Sequence, residues 1–234
     1  MTRPVTGSAP IIAVDGPAAA GKGTLSKRLA EALGLPHLDT GLLYRAVARL
    51  MINAGLDPAS TSGESIARGL SLADLKRTDL RTPDVDAAAS LVARDNAVRQ
   101  ALVDMQRLFA RKNGAVLDGR DIGTVIFPDA DVKLFITASP YARAVRRYIQ
   151  NGGTDDASDR DQRVRTVEIA LIERDHADST RASAPLRMAE DAIKIETDTL
   201  TADEVLAQSL RIVRDVLKAK NVSLPSESMK DLCS

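Results

Sequence analysis

Short apolar runs alternate along this chain with stretches in which apolar residues recur every three or four positions. A short apolar run is typical of a buried strand, and the longer spacing is typical of a helix. The runs predict five strands, at residues 11–14, 37–39, 115–117, 132–137 and 192–196. Because strands that alternate with helices form parallel sheets, we expect an α/β fold with a doubly wound parallel sheet of about five strands.

The helices between the runs carry recognisable end signals. The first begins near Lys22, presents leucines at helical spacing and stops at Gly34, a residue type that commonly ends a helix. Ser139 precedes Pro140, as an N-cap residue precedes a proline in the first turn. A capping box of Thr201 and Glu204 then predicts a last helix over residues 205–218.

The middle of the chain lacks this regular alternation. Residues 53–83 contain many glycine, proline and serine residues, and only a short helix over 65–76 is predicted there. A helical pattern follows over residues 84–112, with an apolar stripe, and ends at Asn113-Gly114. We interpret residues 53–83 as an excursion from the core rather than as a separate domain.

A glycine-bounded loop connects the first strand to the first helix. The segment reads Gly16-Pro17-Ala18-Ala19-Ala20-Gly21-Lys22-Gly23-Thr24, with the glycine and lysine spacing of a phosphate-binding loop. In such loops glycine lets backbone N–H groups approach phosphate oxygens, and the helix N-terminus attracts negative charge. The alternative interpretation is a plain glycine turn before a core helix. The hydroxyl residue comes one place later than in GTPases, a pattern that resembles small nucleotide kinases.

Composition narrows the possible functions. The chain has 234 residues, 44% of them apolar, which is enough for one domain with its own core. Its 32 basic and 32 acidic residues argue against a nucleic-acid polymer as partner. One cysteine, Cys233, and two histidines exclude a disulfide framework and a usual zinc site. No apolar run has the length of a membrane span, so we expect no membrane contact and a cytoplasmic enzyme.

Charged residues cluster in three further segments, of which two follow predicted strands. Leu38 to Arg45 and Asp118-Gly119-Arg120-Asp121 lie at strand ends, where open α/β sheets bind ligands. In the third segment, Arg174, Asp178 and Arg181 are spaced so that they would share one helix face. Together the three segments contain four arginines, which are typical of a site that holds a second phosphate group.

These segments together resemble bacterial cytidylate kinases. The resemblance runs from about residue 11 to residue 217 and rests on residues 16–24, 38–45, 118–128 and 173–186. It implies a P-loop kinase fold in a single domain over residues 10–220, with a shortened acceptor-binding insert at 55–83 and a lid at 151–163. Residues 1–9 and 221–234 are expected to be flexible tails.

The resemblance also implies an activity. Members of the family transfer a phosphoryl group from ATP to CMP or dCMP, in line and without a covalent enzyme intermediate. We therefore expect ATP and CMP or dCMP as partners, Mg²⁺ as the cofactor that accompanies ATP, and a monomer. The sequence does not identify the protein ligands of the metal.

Specific residues of this chain match the family's functional positions. The resemblance assigns ATP binding to the loop residues Gly16, Pro17, Ala18, Ala19, Ala20, Gly21, Lys22, Gly23 and Thr24. It assigns catalytic roles to Lys22, Arg120 and Arg181. It assigns CMP binding to Thr40, Tyr44, Arg45, Ser90, Arg99, Arg120, Asp121, Arg174, Asp178 and Arg181.

The chain departs from the family pattern in two places. Many members have Ser-Gly where this loop has Ala18-Ala19, and many have a longer insert ahead of residue 80. A geometric requirement adds a third point. Ser90 and Arg99 would face opposite sides of one continuous helix, so both reach cytosine only if the helix breaks, and Asp95-Asn96 is the expected position.

Other interpretations stay open at the level of sequence. The chain could be a P-loop kinase with another acceptor, such as UMP or a metabolite alcohol, or a nucleotide-dependent switch. Arginines that flank the lid could form solvated helix faces instead of binding ligand; they are Arg146, Arg147, Arg160, Arg163 and Arg165. Asp39 could stabilise a turn, Tyr44 could pack in the core, and Asp118 could either hold magnesium or cap local structure.

Overall fold

Five strands form one parallel sheet in the computed structural model, which describes residues 9–111 and 113–225. The strands are β1 (Ile11–Asp15), β2 (His37–Asp39), β3 (Ala115–Gly119), β4 (Val132–Thr137) and β5 (Ile193–Glu196). Their order across the sheet is β2-β3-β1-β4-β5. All five predicted strands are therefore confirmed, as is the α/β class with a five-stranded parallel sheet.

The register places β1 at the centre of the sheet. Ile11 pairs with Ala115 of β3, and Ile12 pairs with Val132 of β4. Leu134 of β4 in turn pairs with Ile193 of β5. Every residue of β1 and β3 is buried, as expected for parallel strands that are covered on both faces.

Eight α-helices accompany the strands in the described residues. They are α1 (Lys22–Leu33), α2 (Thr40–Asn53), α3 (Glu64–Gly69), α4 (Pro83–Val92), α5 (Asn96–Arg111), α6 (Pro140–Gln150), α7 (Arg160–Thr180) and α8 (Ala202–Ala219). A 3₁₀ turn at Asp74–Lys76 and a π-helical turn at Ile122–Ile126 complete the elements. The predicted end signals are confirmed: Gly34 ends α1 in the left-handed conformation, Ser139 caps α6, and Thr201 and Glu204 form the capping box of α8.

The chain divides into two compact units, Met1–His37 with Asn113–Ser234, and Leu38–Lys112. In the first unit, the apolar sides of α1 and α8 pack with the central strands around Leu29, Ile136 and Val213, each almost fully buried. Residues of β1 and α1 share this core, so the loop that connects them has a packed element at each end. The expectation of a single domain over residues 10–220 stays a prediction.

The second unit is built from helices. Its α2 packs on α4 and its α3 packs on α5. Between residues 55 and 83, all of which are described, the chain contains α3, the 3₁₀ turn and no strand. The predicted helix over 65–76 is thus divided into two short pieces, because Leu70 adopts an extended backbone after Gly69.

The helical pattern over residues 84–112 is interrupted. A break between Ser90 and Arg99 was predicted, because on one continuous helix the two would face opposite sides. α4 ends at Val92 and α5 begins at Asn96. The Asp95 carboxylate caps α5 by accepting hydrogen bonds from the N–H groups of Ala97 and Val98, at 2.9 and 3.4 Å. A capping carboxylate satisfies N–H groups that have no partner inside the helix, and the predicted break is therefore confirmed.

Most of the two expected tails lies outside the described residues, and so does Cys233. No helix among the described residues is long and apolar enough to cross a membrane. α7 begins at Arg160, so the last four residues of the expected lid, 160–163, are helical.

Candidate active site

The loop after β1 has the backbone of a phosphate-binding loop. Gly16 has φ +147°, and a Cβ at this position would lie 2.0 Å from the carbonyl oxygen of Ile136. Only glycine fits there, because the neighbouring backbone on β4 cannot move away cheaply. Lys22 is buried at the start of α1, and its Nζ donates to the carbonyl oxygen of Pro17 at 2.7 Å.

The loop's departure from the family pattern has a structural consequence. Ala19, where many members have glycine, adopts φ +59°, in the left-handed region. An L-residue with a Cβ is strained in this region by about 1–2 kcal/mol. Ala19 therefore adopts a conformation that glycine takes freely, and surrounding contacts must hold it there.

Asp15 ends β1 and was not selected by the sequence analysis. It is buried, and its carboxylate accepts hydrogen bonds from the N–H groups of Ile122 and Gly123 at 2.8 and 2.7 Å. Burial raises the pKa of Asp15 to about 6, whereas the two backbone hydrogen bonds oppose this shift. The carboxylate thus ties the phosphate loop to the π-helical turn that follows Asp121. Its position directly before Gly16 was the available sequence signal.

The segment after β3 makes two ion pairs with the end of α7. Nε of Arg120 donates to Oδ2 of Asp178 at 2.9 Å, and Nη2 of Arg181 lies 3.6 Å from Oδ1 of Asp121. Asp121 and the Arg181 side chain are buried, and the side chain of Arg120 is 21% exposed. Arg120 and Asp121 therefore each pair with a residue at or just after the end of α7.

The predicted common helix face is only partly correct. α7 ends at Thr180, and Arg181 has an extended backbone. Its Nε donates to the carbonyl oxygen of Ala184 at 2.6 Å, which directs the guanidinium toward Asp121. Arg174 and Asp178 do lie on the helix, one turn apart. The sequence spacing missed the helix end because no glycine or proline marks it.

Arg174 is a half-buried cation in this group, and its Nε atom is buried. Its Nε has no hydrogen-bond partner. Burial lowers the pKa of the Arg174 guanidinium, and the nearby charge of Arg120 lowers it further, while Asp178 opposes the shift. An unsatisfied buried donor beside a second cation is electrostatically suited to an anionic ligand.

The second unit gathers its own predicted residues. Arg45 on α2 pairs with Asp86 on α4 and donates to the carbonyl oxygen of Leu80 at 3.2 Å. The guanidinium carbon of Arg99 lies 5.6 Å from the ring centroid of Tyr44, within the range of a cation–π contact. Asp86 was missed by the sequence analysis, although its i, i+4 spacing to Ser90 on α4 could have indicated it.

The other predicted residues of this unit are held by local contacts. Ser90 donates its hydroxyl to the carbonyl oxygen of Asp86 at 3.1 Å. Arg99 is buried at 3% exposure, and its Nη1 donates to Ala93 in the break between α4 and α5. Thr40 is buried at the start of α2. The structure therefore brings the predicted positions 44, 45, 90 and 99 into one group of packed helices.

Two aspartates with open roles make specific contacts. Oδ1 of Asp118 lies 2.7 Å from Nε2 of His37, and Asp118 is buried. Oδ2 of Asp39 accepts a hydrogen bond from Nη2 of Arg81 at 2.9 Å. Asp39 thus makes an ion pair with Arg81, and its turn-stabilising role stays a prediction.

The arginines near the lid divide into different environments. Arg146 donates to the hydroxyl and to the carbonyl oxygen of Thr197, so a purely solvated face is the wrong interpretation for this residue. Arg160 pairs with Asp155 and Asp161 at 3.1 and 2.9 Å, and Arg165 is exposed. Arg143 is buried and contacts the phosphate loop, which the sequence analysis did not foresee.

Tyr148 of α6 contacts the first residues of the expected lid. Its hydroxyl donates to the carbonyl oxygen of Thr154 at 3.0 Å, and a Cβ at Gly153 would lie 2.3 Å from the ring. The guanidinium carbon of Arg163 lies 5.4 Å from the ring centroid. The segment expected to form the lid therefore contacts a buried aromatic side chain at both of its ends.

Oxygen ligands suited to Mg²⁺ are present near the phosphate loop. Mg²⁺ with a nucleotide keeps most of its ligands from phosphate and water and takes one or two from protein. The exposed hydroxyl of Thr24 lies in the first turn of α1, and the Asp118 carboxylate lies 3.9 Å from the position that a Cβ would take at Gly23. Among the described residues, no group of three histidine, cysteine or acidic side chains forms a metal site on its own. These residues fit a metal that arrives with its nucleotide.

A comparison with known protein families shows to which family the chain belongs. The family model described as cytidylate kinase matches residues 12–215 of the chain. The chain belongs to the cytidylate kinase family. The match includes the phosphate loop, the Arg120-Asp121 segment and the end of α7, on which the sequence resemblance rested.

Two curated cytidylate kinases illustrate the similarity. The chain is 53% identical over 220 residues to the cytidylate kinase of Acidiphilium cryptum, covering 93% of this chain and 99% of that protein. It is 56% identical over 205 residues to that of Granulibacter bethesdensis, covering 87% and 96%. Since both relatives are covered nearly end to end, they resemble this chain in length as well as in sequence.

Among solved structures, a gluconokinase from Sinorhizobium meliloti 1021 superimposes with a TM-score of 0.49 at 12% identity, covering 91% of this chain and 97% of that one. The assignment to the cytidylate kinase family rests on the family match and the curated relatives alone.

Proposed function

We propose that this protein transfers the terminal phosphoryl group of ATP to CMP or dCMP, which gives ADP and CDP or dCDP. The observation that carries the proposal is the identity of about half of all positions to curated cytidylate kinases along nearly their whole length. The contacts described above give each step a physical basis.

The donor ATP is assigned to residues 16–24. In this loop, backbone N–H groups and the N-terminus of α1 attract the phosphates. Lys22 already turns its ammonium group back to the loop carbonyl of Pro17. From there it can move a short distance to the outer phosphates and neutralise their charge.

The acceptor phosphate is assigned to arginines, because a guanidinium binds two phosphate oxygens at once. Arg45, Arg120 and Arg181 are the candidates, and Arg120 and Arg181 also stabilise the group in transfer. The buried and unpaired Nε of Arg174 supports an anion in the first unit. Arg174 and Asp178 are further assigned to the sugar, whose hydroxyls donate to a carboxylate.

Recognition of cytosine is assigned to Ser90, Arg99 and Asp121. A carboxylate accepts a hydrogen bond from the exocyclic N4 amine of cytosine, and uracil presents a carbonyl oxygen at that place. The buried Asp121 is held by Arg181, so its position is fixed before the base arrives. Thr40 and Tyr44 are assigned to the lining of the acceptor site.

The transfer needs no strong protein base, because the attacking phosphate oxygen is already ionised near neutral pH. The residues accelerate the reaction by positioning the two phosphates and by neutralising charge that develops between them. Mg²⁺ bound with ATP supplies further neutralisation, and the residues that would hold it are Thr24 and Asp118. Closure of the lid over residues 151–163 excludes water as a competing acceptor.

The two alternatives have less support. A nucleotide switch needs no second phosphate site, whereas Arg120, Arg174 and Arg181 form a cationic group beside a carboxylate. A kinase for UMP would place a carboxylate against a uracil carbonyl. We further propose that the protein is a cytoplasmic monomer that binds neither nucleic-acid polymers nor membranes.

The first experiment is ADP release from ATP and Mg²⁺, measured in parallel with CMP, dCMP, UMP, AMP and no acceptor. We expect strong stimulation by CMP or dCMP and little by UMP. Equal rates with UMP would contradict the assigned base contacts. Stimulation by none of the nucleotides would contradict the proposed function itself.

The role of Asp121 is tested by Asp121→Asn. An amide presents a donor as well as an acceptor, so the preference for CMP over UMP should fall by about tenfold or more. Asp39→Asn is the matched control, because it also removes a carboxylate that pairs with an arginine. Affinity for ATP should stay the same in Asp121→Asn, and an unchanged ratio of CMP to UMP rates would refute the assignment.

A further inference from the structure

Arg143 on α6 is a buried arginine that binds three separate segments of the first unit. Its Nε donates to the carbonyl oxygen of Ala138 at 3.0 Å, just after β4. Its Nη1 donates to the carbonyl oxygen of Ala18 at 3.1 Å, in the phosphate loop. Its Nη2 lies 2.6 Å from Oδ2 of Asp175 on α7, and its side chain is 3% exposed.

The carbonyl of Ala18 belongs to the peptide group that joins Ala18 to Ala19. In a planar trans peptide the carbonyl oxygen and the following N–H point in opposite directions. A guanidinium that holds the Ala18 oxygen therefore directs the N–H of Ala19 away from α6. Phosphate binding by such a loop depends on the direction of its backbone N–H groups.

The same peptide group precedes the strained residue of the loop. Ala19 has φ +59°, a conformation that alanine keeps only when its surroundings enforce it. The side chain of Ala18 packs in a buried apolar cluster with Ala144, Tyr148, Val164 and Leu171. Ala18 is thus fixed by its side chain and by its carbonyl, both of which contact the α6–α7 pair.

We propose that Arg143 is a positioning residue for the phosphates of ATP. By holding the carbonyl of Ala18, it keeps Ala19 in the left-handed conformation and keeps the N–H of Ala19 directed for phosphate binding. The proposal rests on the proposed function, in which residues 16–24 bind ATP. Arg143 acts through the loop, in contrast to Lys22, which is assigned to the phosphates directly.

Asp175 completes this arrangement. Its carboxylate neutralises the buried guanidinium, since an unpaired charge at 3% exposure would be costly. Asp175 directly follows Arg174 in α7. The helix that carries a predicted acceptor residue therefore also carries the carboxylate that pairs with Arg143.

The test begins with Arg143→Met, which keeps an apolar side chain of similar length and removes the donors. We expect the KM for ATP and its dissociation constant, measured by calorimetry, to rise about tenfold, as for the loss of one or two hydrogen bonds. The KM for CMP should change by about twofold or less. Arg28→Met removes an exposed arginine that pairs with Asp203, and it should leave both constants unchanged.

A second substitution separates loop positioning from general support of the fold. Glycine populates the left-handed conformation freely, so in an Ala19→Gly background the loop needs less help from Arg143. There we expect Arg143→Met to weaken ATP binding by about threefold or less. An equal loss in both backgrounds, or no loss in either, would overturn the proposal.

Arg143→Lys covers the case in which the methionine variant does not fold. A lysine keeps the charge beside Asp175 but cannot bind two carbonyls and a carboxylate in the fixed geometry of a guanidinium. Its KM for ATP should rise, and its thermal unfolding temperature should fall less than that of Arg143→Met, because the charge beside Asp175 is kept. If wild-type protein binds no ATP, the proposed function fails; if it does, and this KM is unchanged, only the role of Arg143 fails.

Discussion

Asp15 keeps a carboxyl group in the apolar interior at the end of β1. Its pKa is 3.8 in an unfolded reference and is raised to about 6 by burial. Between about pH 4 and pH 6 the folded protein therefore holds a proton that the unfolded chain has lost. The stability that Asp15 contributes is fully present below this window and is lost as the pH rises through about 6.

This linkage gives a prediction for Asp15→Asn, because an asparagine does not titrate. The difference in free energy of unfolding between variant and wild type should shift in favour of the variant by about 2–3 kcal/mol when the pH is raised from about 4 to about 7.5. Urea unfolding at the two pH values measures the difference. Asp129→Asn, at an exposed position, controls for the loss of one carboxylate. The same difference from wild type at both pH values would contradict the prediction.

At the scale of elements, the lid segment depends on one aromatic ring. The hydroxyl of Tyr148 binds Thr154, and Gly153 lies so close to the ring that a Cβ would meet three ring atoms within 2.5 Å. Tyr148 is 3% exposed, so the ring has little room to move. The connection between α6 and α7 is therefore a packed turn, although its composition is hydrophilic.

Gly153→Ala should displace the ring and loosen this turn. We expect a loss of about 1–3 kcal/mol in the free energy of unfolding, as for other overpacked sites. Amide hydrogen exchange over residues 148–160 should become faster. Gly152→Ala is the matched control: it strains a backbone at φ +85° but meets no atom within 4 Å. Equal exchange in the two variants would show that the ring does not hold the lid.

At the scale of the whole molecule, the core of the first unit depends on side chains between the sheet and its helices. Leu134 is 1% exposed on β4, and its register partner Ile193 on β5 is 37% exposed. Substitutions at these two positions therefore test a buried and a half-exposed apolar side chain on adjacent strands.

Leu134→Ala should destabilise the protein by about 2–5 kcal/mol, because it removes buried methyl groups and leaves a cavity. Ile193→Ala should cost about 1 kcal/mol, since solvent already reaches this side chain. Chemical unfolding of both variants checks the difference. If the two losses were equal, the position of Leu134 in the core would be wrong.

Much of the fold was predictable because its signals are local. Gly34, Ser139 and the Thr201–Glu204 box end or begin helices through contacts with their own neighbours in sequence, and all are confirmed. The end of α7 was not predictable, because Arg181 leaves the helix through a contact with Ala184 rather than at a glycine or proline.

The sequence selected side chains that lie together in the structure, but it did not show how they pair, and their roles in the site stay predictions. Motif matches identified Arg120, Asp121, Asp178 and Arg181, yet which acid pairs with which arginine depends on how β3 and α7 meet in the fold. The role proposed for Arg143 depends on Ala18 and Asp175, which lie 125 and 32 positions away in sequence. In the sequence alone, Arg143 is one of several arginines near the expected lid. No local pattern contains that information.

The strand order has a consequence for how the chain is made. β1 lies between β3 and β4. During translation its apolar residues stay unpaired until β3 and β4 are synthesised, more than a hundred residues later. During synthesis this segment is an unpaired, β-prone stretch, which exposes it to aggregation. Pairings so distant in sequence also slow folding after release. Production in living cells should therefore depend on chaperones that cover the first strand until its neighbours emerge.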